Sequence, residues 1–354
     1  MSLRDTIIAQ ITAQGPMRLD DYISTCLLHP TAGYYTTRPP FGKQGDFITA
    51  PEISQMFGEL IGLALAQSWL DQGAPARFAL LELGPGRGTL IADILRATKA
   101  VKGFHEAAQI TLMEASPALR AEQAATLAGH TPAWIDTIEA LPELPVFAVA
   151  NEFFDALPIR QFVRDGDRWR ERQVGVQDGT LVFGLGPAQS QPALAARLDD
   201  TKDGDMVEDC PSAAPILSTL AARIASHAGA ALVFDYGDWR SLGDTLQAVQ
   251  NHATTDPLTA PGMADLTAHV DFEALFAAAT PLATCSRITP QGVFLERLGI
   301  TARAQALAEN LSGEALDTHI AAHRRLTHPQ EMGNLFKTFG IVPHGAPMLP
   351  GLET

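Results

Sequence analysis

Leu80-Leu81-Glu82-Leu83-Gly84-Pro85-Gly86-Arg87-Gly88-Thr89-Leu90 decides the fold. A short apolar run ends in an acid, glycines follow at every second position, and an apolar-periodic stretch from Ile91 to Leu95 begins. This reads as strand, tight turn and helix. Glycine removes Cβ where the backbone must bend sharply and approach a ligand, and the following helix points unpaired N–H groups and a positive dipole end at the crevice. A nucleotide-like ligand is implied, beside the plainer reading of a glycine-rich turn that holds nothing. A dinucleotide fingerprint starting at Gly84 needs Gly or Ala at position 89, where this chain has Thr89. Gly88 instead closes a G-x-G-x-G pattern, with Glu82 two residues ahead of the first glycine.

Working outward, short buried strands alternate with helices. The strand ending at Glu82 is followed by a helix to about Lys99, a second strand Gln109–Met113 ending at Glu114, a helix from Pro117 with Ser116 as N-cap, a third strand Ala133–Ile135 ending near Asp136, and a fourth, Pro145–Ala150. The pattern predicts an α/β fold, a doubly wound Rossmann-like parallel sheet with ligands beyond the strands' carboxyl ends. After Pro158 the period changes to two. Ile159–Val163, Trp169–Val176 and Leu181–Gly184 are separated by Asp165-Gly166 and Asp178-Gly179, which signal a β-meander. Ala230–Gly237 is the fifth core strand, Leu282–Thr289 a late one, and the tail from Leu295 reads as mainly helical through Lys337. The expected division is 1–75, an N-terminal helical segment with an active-site loop; 76–160 and 228–290, the core; 161–227, the inserted meander and helix; and 291–354, a C-terminal mainly helical segment.

A chain of 354 residues is long enough for a sizeable core. The formal net charge of −15 disfavours nucleic acid, whose binding leaves a basic footprint. A basic protein segment or a small molecule fits better. Cys26, Cys210 and Cys285 stand singly, without the spacing of a zinc site or a disulfide framework, so no metal is expected. Met1–Gln14 reads as an amphipathic helix without the features of a targeting peptide, and no run is long enough to span a membrane; cytoplasmic placement and no membrane partner are the expectations. Oligomeric state is not legible.

The glycine variant resembles motif I of S-adenosylmethionine methyltransferases, where the turn packs under the amino-acid end of the cofactor. On that footing Glu82, Gly84, Gly86 and Gly88 are candidate cofactor residues. Glu114 ends the neighbouring strand, where a carboxylate can accept both ribose hydroxyls. Asp136 could accept from an adenine amino group. Asn151, Glu152 and Asp155 end the fourth strand, opposite the expected methyl group. Carboxylates match the donor fork of a guanidinium, so Glu152 with Asp155 or Asp46 could orient an arginine, and a neighbouring carboxylate helps as a proton leaves. The Gly/Pro-punctuated loop before the next helix supplies Asp46, Thr49 and Glu52, which could close over the cofactor. The plain alternatives, an ion-paired turn and solvated strand-end acids, stay open on these residues.

Taken together, Leu28-His29-Pro30 with Gly33-Tyr34-Tyr35, Gly45 to Glu59, Glu82 to Leu90, Asn151-Glu152-Phe153-Phe154-Asp155-Ala156-Leu157-Pro158, Asp235-Tyr236-Gly237, Asp265 to Phe272, and Met332-Gly333 with Phe336-Lys337 closely resemble the MidA family of class I S-adenosylmethionine-dependent methyltransferases. Mitochondrial members of that family are arginine methyltransferases acting in respiratory complex I assembly. The resemblance implies a seven-stranded methyltransferase sheet with an added domain, S-adenosyl-L-methionine as cofactor, and a protein arginine as acceptor, in a subunit of the organism's NADH dehydrogenase. One departure concerns the loop before Asp256, usually basic in the family, where Gln250, Asn251 and Ala253 leave only His252. Two other readings remain: methylation of a small molecule or another side chain, and an assembly chaperone that binds the cofactor and grips its client without turnover.

Overall fold

The computed structural model describes residues 2–37 and 49–354, so Asp46 lies outside the described residues. The core sheet contains β1 (Phe78–Leu83), β2 (Ala108–Met113), β3 (Ala133–Ile135), β4 (Val146–Asn151), β5 (Gly229–Asp238), β6 (Thr284–Cys285) and β7 (Phe336–Val342) in the order β3-β2-β1-β4-β5-β7-β6. Strands β1 to β5 run parallel, and β7 is inserted antiparallel between β5 and β6. Residues 270–271 and 289–290 add short pairings at its margins. Every residue of β1 and β4 is buried, as a parallel strand covered on both faces requires. The chain leaves β1 toward β2 and later returns on its other side as β4, so the carboxyl ends of β1 and β4 flank the crevice where a doubly wound sheet takes its ligand.

Helices cover both faces. The helices that matter here are α1 (Leu3–Gln14), α2 (Leu19–Leu28), α3 (Gln55–Asp71), α4 (Thr89–Thr98), α5 (Pro117–Thr126) and α6 (Ala213–His227). On one face α3 and α4 share a core with Phe78, Leu80, Phe147 and Phe234; on the other α6 packs against Leu81, Ala148, Val233 and Phe339. Ser54 caps α3, its hydroxyl accepting from the Met56 N–H at 3.2 Å. Gly58 and Gly62 let α3 lie hard against α4, because a Cβ at Gly58 would fall 2.6 Å from that of Asp93.

The stretch 1–75 divides between two cores. Leu3, Ile7 and Ile11 of α1 and Tyr22, Ile23 and Leu27 of α2 pack with Val174 and Leu181 of the meander and with Leu266, whereas Met56 to Trp69 belong to the main core. The meander is a five-stranded antiparallel sheet that recruits Met17–Arg18 and Met206–Asp209. Its Asp178-Gly179 turn has both residues at positive φ, as its tight hairpin needs.

The reading of the tail as helical through Lys337 needs correction. The last helix stops at Leu335, and Phe336 starts β7, which completes the central sheet from within the segment expected to be mainly helical. The reason is tertiary: five of the seven positions, Thr338 to Val342, are fully or almost fully buried between β5 and β6, and Lys337 survives at the strand's start by donating to the carbonyls of Gly237, Asn334 and Leu335. Leu282–Thr289 likewise resolves into two two-residue strands rather than one.

Candidate active site

The glycine turn is self-sufficient. Gly84, Gly86 and Gly88 have φ of 63°, 51° and 79°, the left-handed region. The Gly84 N–H donates to the Met113 carbonyl (3.0 Å), and Gly88 is the N-cap residue of α4. Glu82, almost wholly buried, accepts from the Ile91 N–H in the first turn of α4 at 3.1 Å. Burial holds its carboxyl well above the usual range, with Glu114 adding to the shift. Buried Gln123 of α5 locks the turn to the next strand: its amide donates to the Gly86 carbonyl (2.8 Å) and to Glu114 Oε2 (3.1 Å), and its carbonyl accepts from Trp134 Nε1.

Two cavities meet at this turn. The larger, about 250 Å³, has apolar walls from Met113, Leu119, Phe153 and Leu157, and is also lined by Tyr35, Glu114, Asp136, Gly84, Gly86 and Glu152. The smaller, about 40 Å³, is polar, lined by Thr49, Glu52, Glu82, Arg87, Thr89, Asn151 and Glu152 together with Gly84 and Gly86. Gly88 lines neither; a Cβ there would face Gln123 at 3.6 Å, so its glycine serves the turn's backbone. Glu114 Oε1 accepts from the Ser116 N–H at 2.8 Å, and burial raises its carboxyl. Asp136 reaches the cavity but is 83% exposed and paired with Arg120 at 2.5 Å. Glu52 accepts from the Thr89 hydroxyl and lies 3.5 Å from Arg87, which brings the residues after the loop onto the glycine turn.

The end of β4 is built differently. Glu152 adopts φ 51° without being glycine, a conformation held by its N–H donating to the Phe234 carbonyl at 2.9 Å. Its Oε1 accepts from the Ala50 N–H (3.2 Å) and from Asn151 Nδ2 (3.1 Å). Burial raises this carboxyl to about 7. Asn151 and Asp155, only 8% and 6% exposed, each have a buried Oδ1 with no hydrogen-bond donor among the described residues. Burial and the neighbouring carboxylates Asp235, Glu152 and Asp265 push Asp155 well up, against a smaller pull down from the Tyr236 hydroxyl.

Thr49, Glu52, Glu82, Gly84, Gly86, Glu114, Asp136, Asn151 and Glu152 thus gather around the two cavities, while Asp155 lies just past them and lines neither. Three further residues carry the geometry. Asp235, fully buried, accepts from the Phe154 (2.9 Å), Asp155 (3.3 Å) and Tyr236 (3.0 Å) N–H groups and so fixes the turn after β4. Its signal is an acid ending the strand beside β4. Tyr35 walls the larger cavity while its hydroxyl donates to Asp265 at 2.9 Å. Gln123 sits at an ordinary helix position and gives no signal in sequence. His252, at φ 60° in an exposed two-residue turn, lines neither cavity.

The donor set fits a sulfonium nucleoside with an amino-acid tail. Apolar walls and a buried carboxylate suit a nucleoside, a small charged cavity suits a zwitterion, and Asn151, whose Oδ1 has no donor among the described residues, lines the smaller cavity.

Comparison with known proteins agrees. Residues 60–290 match the family described as "Putative S-adenosyl-L-methionine-dependent methyltransferase". The chain is 37% identical over 371 residues, 97% of its length and 85% of the relative's, to Protein arginine methyltransferase NDUFAF7, mitochondrial, of Xenopus laevis. It is 34% identical to the Homo sapiens protein of the same name, covering 96% of this chain and 82% of that one. A Burkholderia thailandensis crystal structure bound to S-adenosyl-homocysteine superposes with a TM-score of 0.85 at 29% identity, over 99% of this chain and 94% of that one. The mitochondrial names of these relatives overturn the cytoplasmic placement read from the first residues. Leu3, Ile7 and Ile11 of α1 pack into the fold, so the composition of this stretch reflects a core contact and carries no information on placement. The chain belongs to this family of S-adenosyl-L-methionine-dependent methyltransferases.

Proposed function

We propose that the chain methylates an arginine of a protein, and that this protein is a subunit of a respiratory NADH dehydrogenase. The observation that carries the reading is Asn151 Oδ1, a buried acceptor with no donor among the described residues, on a residue that lines the smaller cavity beside Glu152. Leaving a buried acceptor unpaired costs about 1–3 kcal/mol, so a turn that keeps one beside a cavity is matched to a donor that arrives with a ligand. A guanidinium brings five N–H donors in a planar fork, and carboxylates are its natural receivers. The names of the relatives, protein arginine methyltransferases, support the same acceptor. The assembly of complex I, which the family resemblance suggests, narrows the protein.

In this reading Gly84, Gly86, Glu114 and Asp136 border the nucleoside, and Thr49, Glu52 and Glu82 border the amino-acid end. The bound cofactor supplies an electrophilic methyl group on its sulfonium. Asn151 and Glu152 hold the acceptor nitrogen at the junction of the cavities, where orientation lowers the barrier. Glu152 Oε1 is fixed by Ala50 and Asn151, which aims the carboxyl. With its carboxyl raised to about 7, Glu152 can take the proton that the alkylated nitrogen releases near neutral pH.

The decisive experiment is transfer of labelled methyl from S-adenosylmethionine to the subunits of the organism's own NADH dehydrogenase, mapped by mass spectrometry. Label on an arginine, absent with Glu152→Gln, is the expected result. Cofactor binding without transfer to any subunit would sink the reading and favour a client-gripping chaperone, and label on another side chain would refute the guanidinium assignment.

A further inference from the structure

Arg87 lies between the second and third glycines of the turn, and among the described residues that line the two cavities it is the only cation. The other charged residues of the small cavity are Glu52, Glu82 and Glu152. The amino-acid end of S-adenosylmethionine carries an ammonium and a carboxylate. Glu52 and Glu82 can receive the first; among side chains that line the small cavity, only Arg87 offers the second a positive charge.

We propose that Arg87 receives the carboxylate of the cofactor's methionyl end and so selects ligands that carry that carboxylate, sulfonium or thioether alike. The guanidinium is already held in the act of pairing carboxylates: its Nε donates to Glu122 Oε1 at 2.6 Å, and its Nη1 stands 3.5 Å from Glu52 Oε2. The two contacts are unequal. Glu122, on α5 and outside both cavities, makes the short one and aims the fork; Glu52 makes the long one across the cavity. Glu52 has a second holder in the Thr89 hydroxyl, so it stays placed when Arg87 turns to a ligand. The N-terminus of α4 opens beside it, with Gly88 as N-cap, and adds a positive dipole end to the same spot. The dipole and Arg87 take the anion, and Glu52 and Glu82 take the ammonium.

The inference is read by a cycle in which ligand and residue are both altered, with binding rather than turnover as the signal. S-adenosyl-homocysteine and its decarboxylated counterpart, adenosine carrying a 3-aminopropyl thioether at the 5′ carbon, are titrated calorimetrically into the full-length protein and its variants. Arg87→Gln is expected to weaken S-adenosyl-homocysteine about tenfold or more, the usual worth of a charge-assisted pair, and to leave the decarboxylated ligand within about twofold. Arg87→Lys is expected to recover part of the loss, since an ammonium keeps the charge but not the fork. Glu122→Gln, which touches no cavity, is expected to give a smaller loss seen only with the carboxylate ligand, because it lets the guanidinium wander. Arg87 is 40% exposed, so removing it leaves the core intact, and thermal melts of the variants check this. Equal weakening of both ligands by Arg87→Gln would overturn the proposal, as would no weakening of S-adenosyl-homocysteine. A wild-type protein that bound neither ligand would overturn the cofactor assignment along with it.

Discussion

Two strand ends a few ångströms apart answer the same geometric problem in opposite ways. After β1 the backbone turns on glycines, and the acid of the strand, Glu82, is satisfied internally by the Ile91 N–H. After β4 the turn forces positive φ on Glu152 and leaves Asn151 Oδ1 and Asp155 Oδ1 without donors among the described residues. Strain and unpaired acceptors cost free energy, about 1–3 kcal/mol each, and a fold keeps them where another molecule relieves them. The first turn is a finished cradle, the second an unfinished one. Cofactor affinity should therefore follow the β1 turn, and transfer the β4 turn.

Glu152→Gln separates the two most sharply. With the proton acceptor gone, transfer should fall about 10²- to 10⁴-fold, while S-adenosyl-homocysteine affinity moves by less than about threefold, under 1 kcal/mol. In the unaltered protein kcat/KM should decline as pH falls below about 7, where Glu152 becomes protonated, and the variant should lose that limb. A parallel collapse of affinity would erase the contrast between the turns.

Gly86→Val is the converse experiment. A β-branched side chain at φ 51°, at a position lining both cavities, should weaken S-adenosyl-homocysteine by roughly a hundredfold, from backbone strain and lost space together, with the fold retained by circular dichroism. Unchanged affinity would refute the assignment of the glycine turn to the cofactor.

The same contrast has a signature in stability. Glu152 is raised in the folded protein to about 7, so folding tightens its hold on a proton. Its contribution is therefore complete below the unfolded value near 4.3 and is lost as pH climbs through about 7; the full swing is of order 3 kcal/mol. Gln stays neutral throughout. The melting temperature of Glu152→Gln, minus that of the parent, should thus rise from pH 5 to pH 8, helped by the relief of Asp155 and Asp235, which Glu152 also pushes up. A difference flat with pH would show that the carboxyl is not buried as described.

Much of this was legible in the residues because local rules and the fold agree. Glycines with an acid before them, Asp-Gly hairpins and buried apolar strands each have one physical reading, and β1 to β5 stand within a residue or two of where those readings put them. What was not legible depends on partners distant in sequence. Phe336–Val342 follows directly on a helical turn, and it is a strand because β5 and β6 offer ladders on both sides. Gln123 looks like any helix residue until it is seen to tie Gly86 to Glu114. Asp136 reads as a lone strand-end acid, and its pairing with Arg120 appears only in the folded chain. Asp155 ends the motif as expected, but it lines neither cavity, and burial with the charges of Asp235, Glu152 and Asp265 pushes its carboxyl up.

The two turns also touch, and the smallest predicted effect tests that contact. A Cβ built on Gly84 would lie 2.9 Å from Phe153 Cδ2, closer than real side chains approach, and Gly84 itself sits at φ 63°. Gly84→Ala therefore carries two costs, backbone strain and displacement of the Phe153 ring, together about 1–3 kcal/mol of stability by denaturant unfolding. Only the second can be relieved from outside. Phe153→Leu removes the ring edge, so the double variant should be less destabilised than the sum of the single ones by about 0.5–1 kcal/mol, a coupling expected only of groups in contact. Phe153 is flanked by Glu152, so a ring pushed by Gly84→Ala should also disturb transfer more than cofactor affinity. Strict additivity would mean that the cradle and the acceptor turn are mechanically independent, and that the first does not set the position of the second.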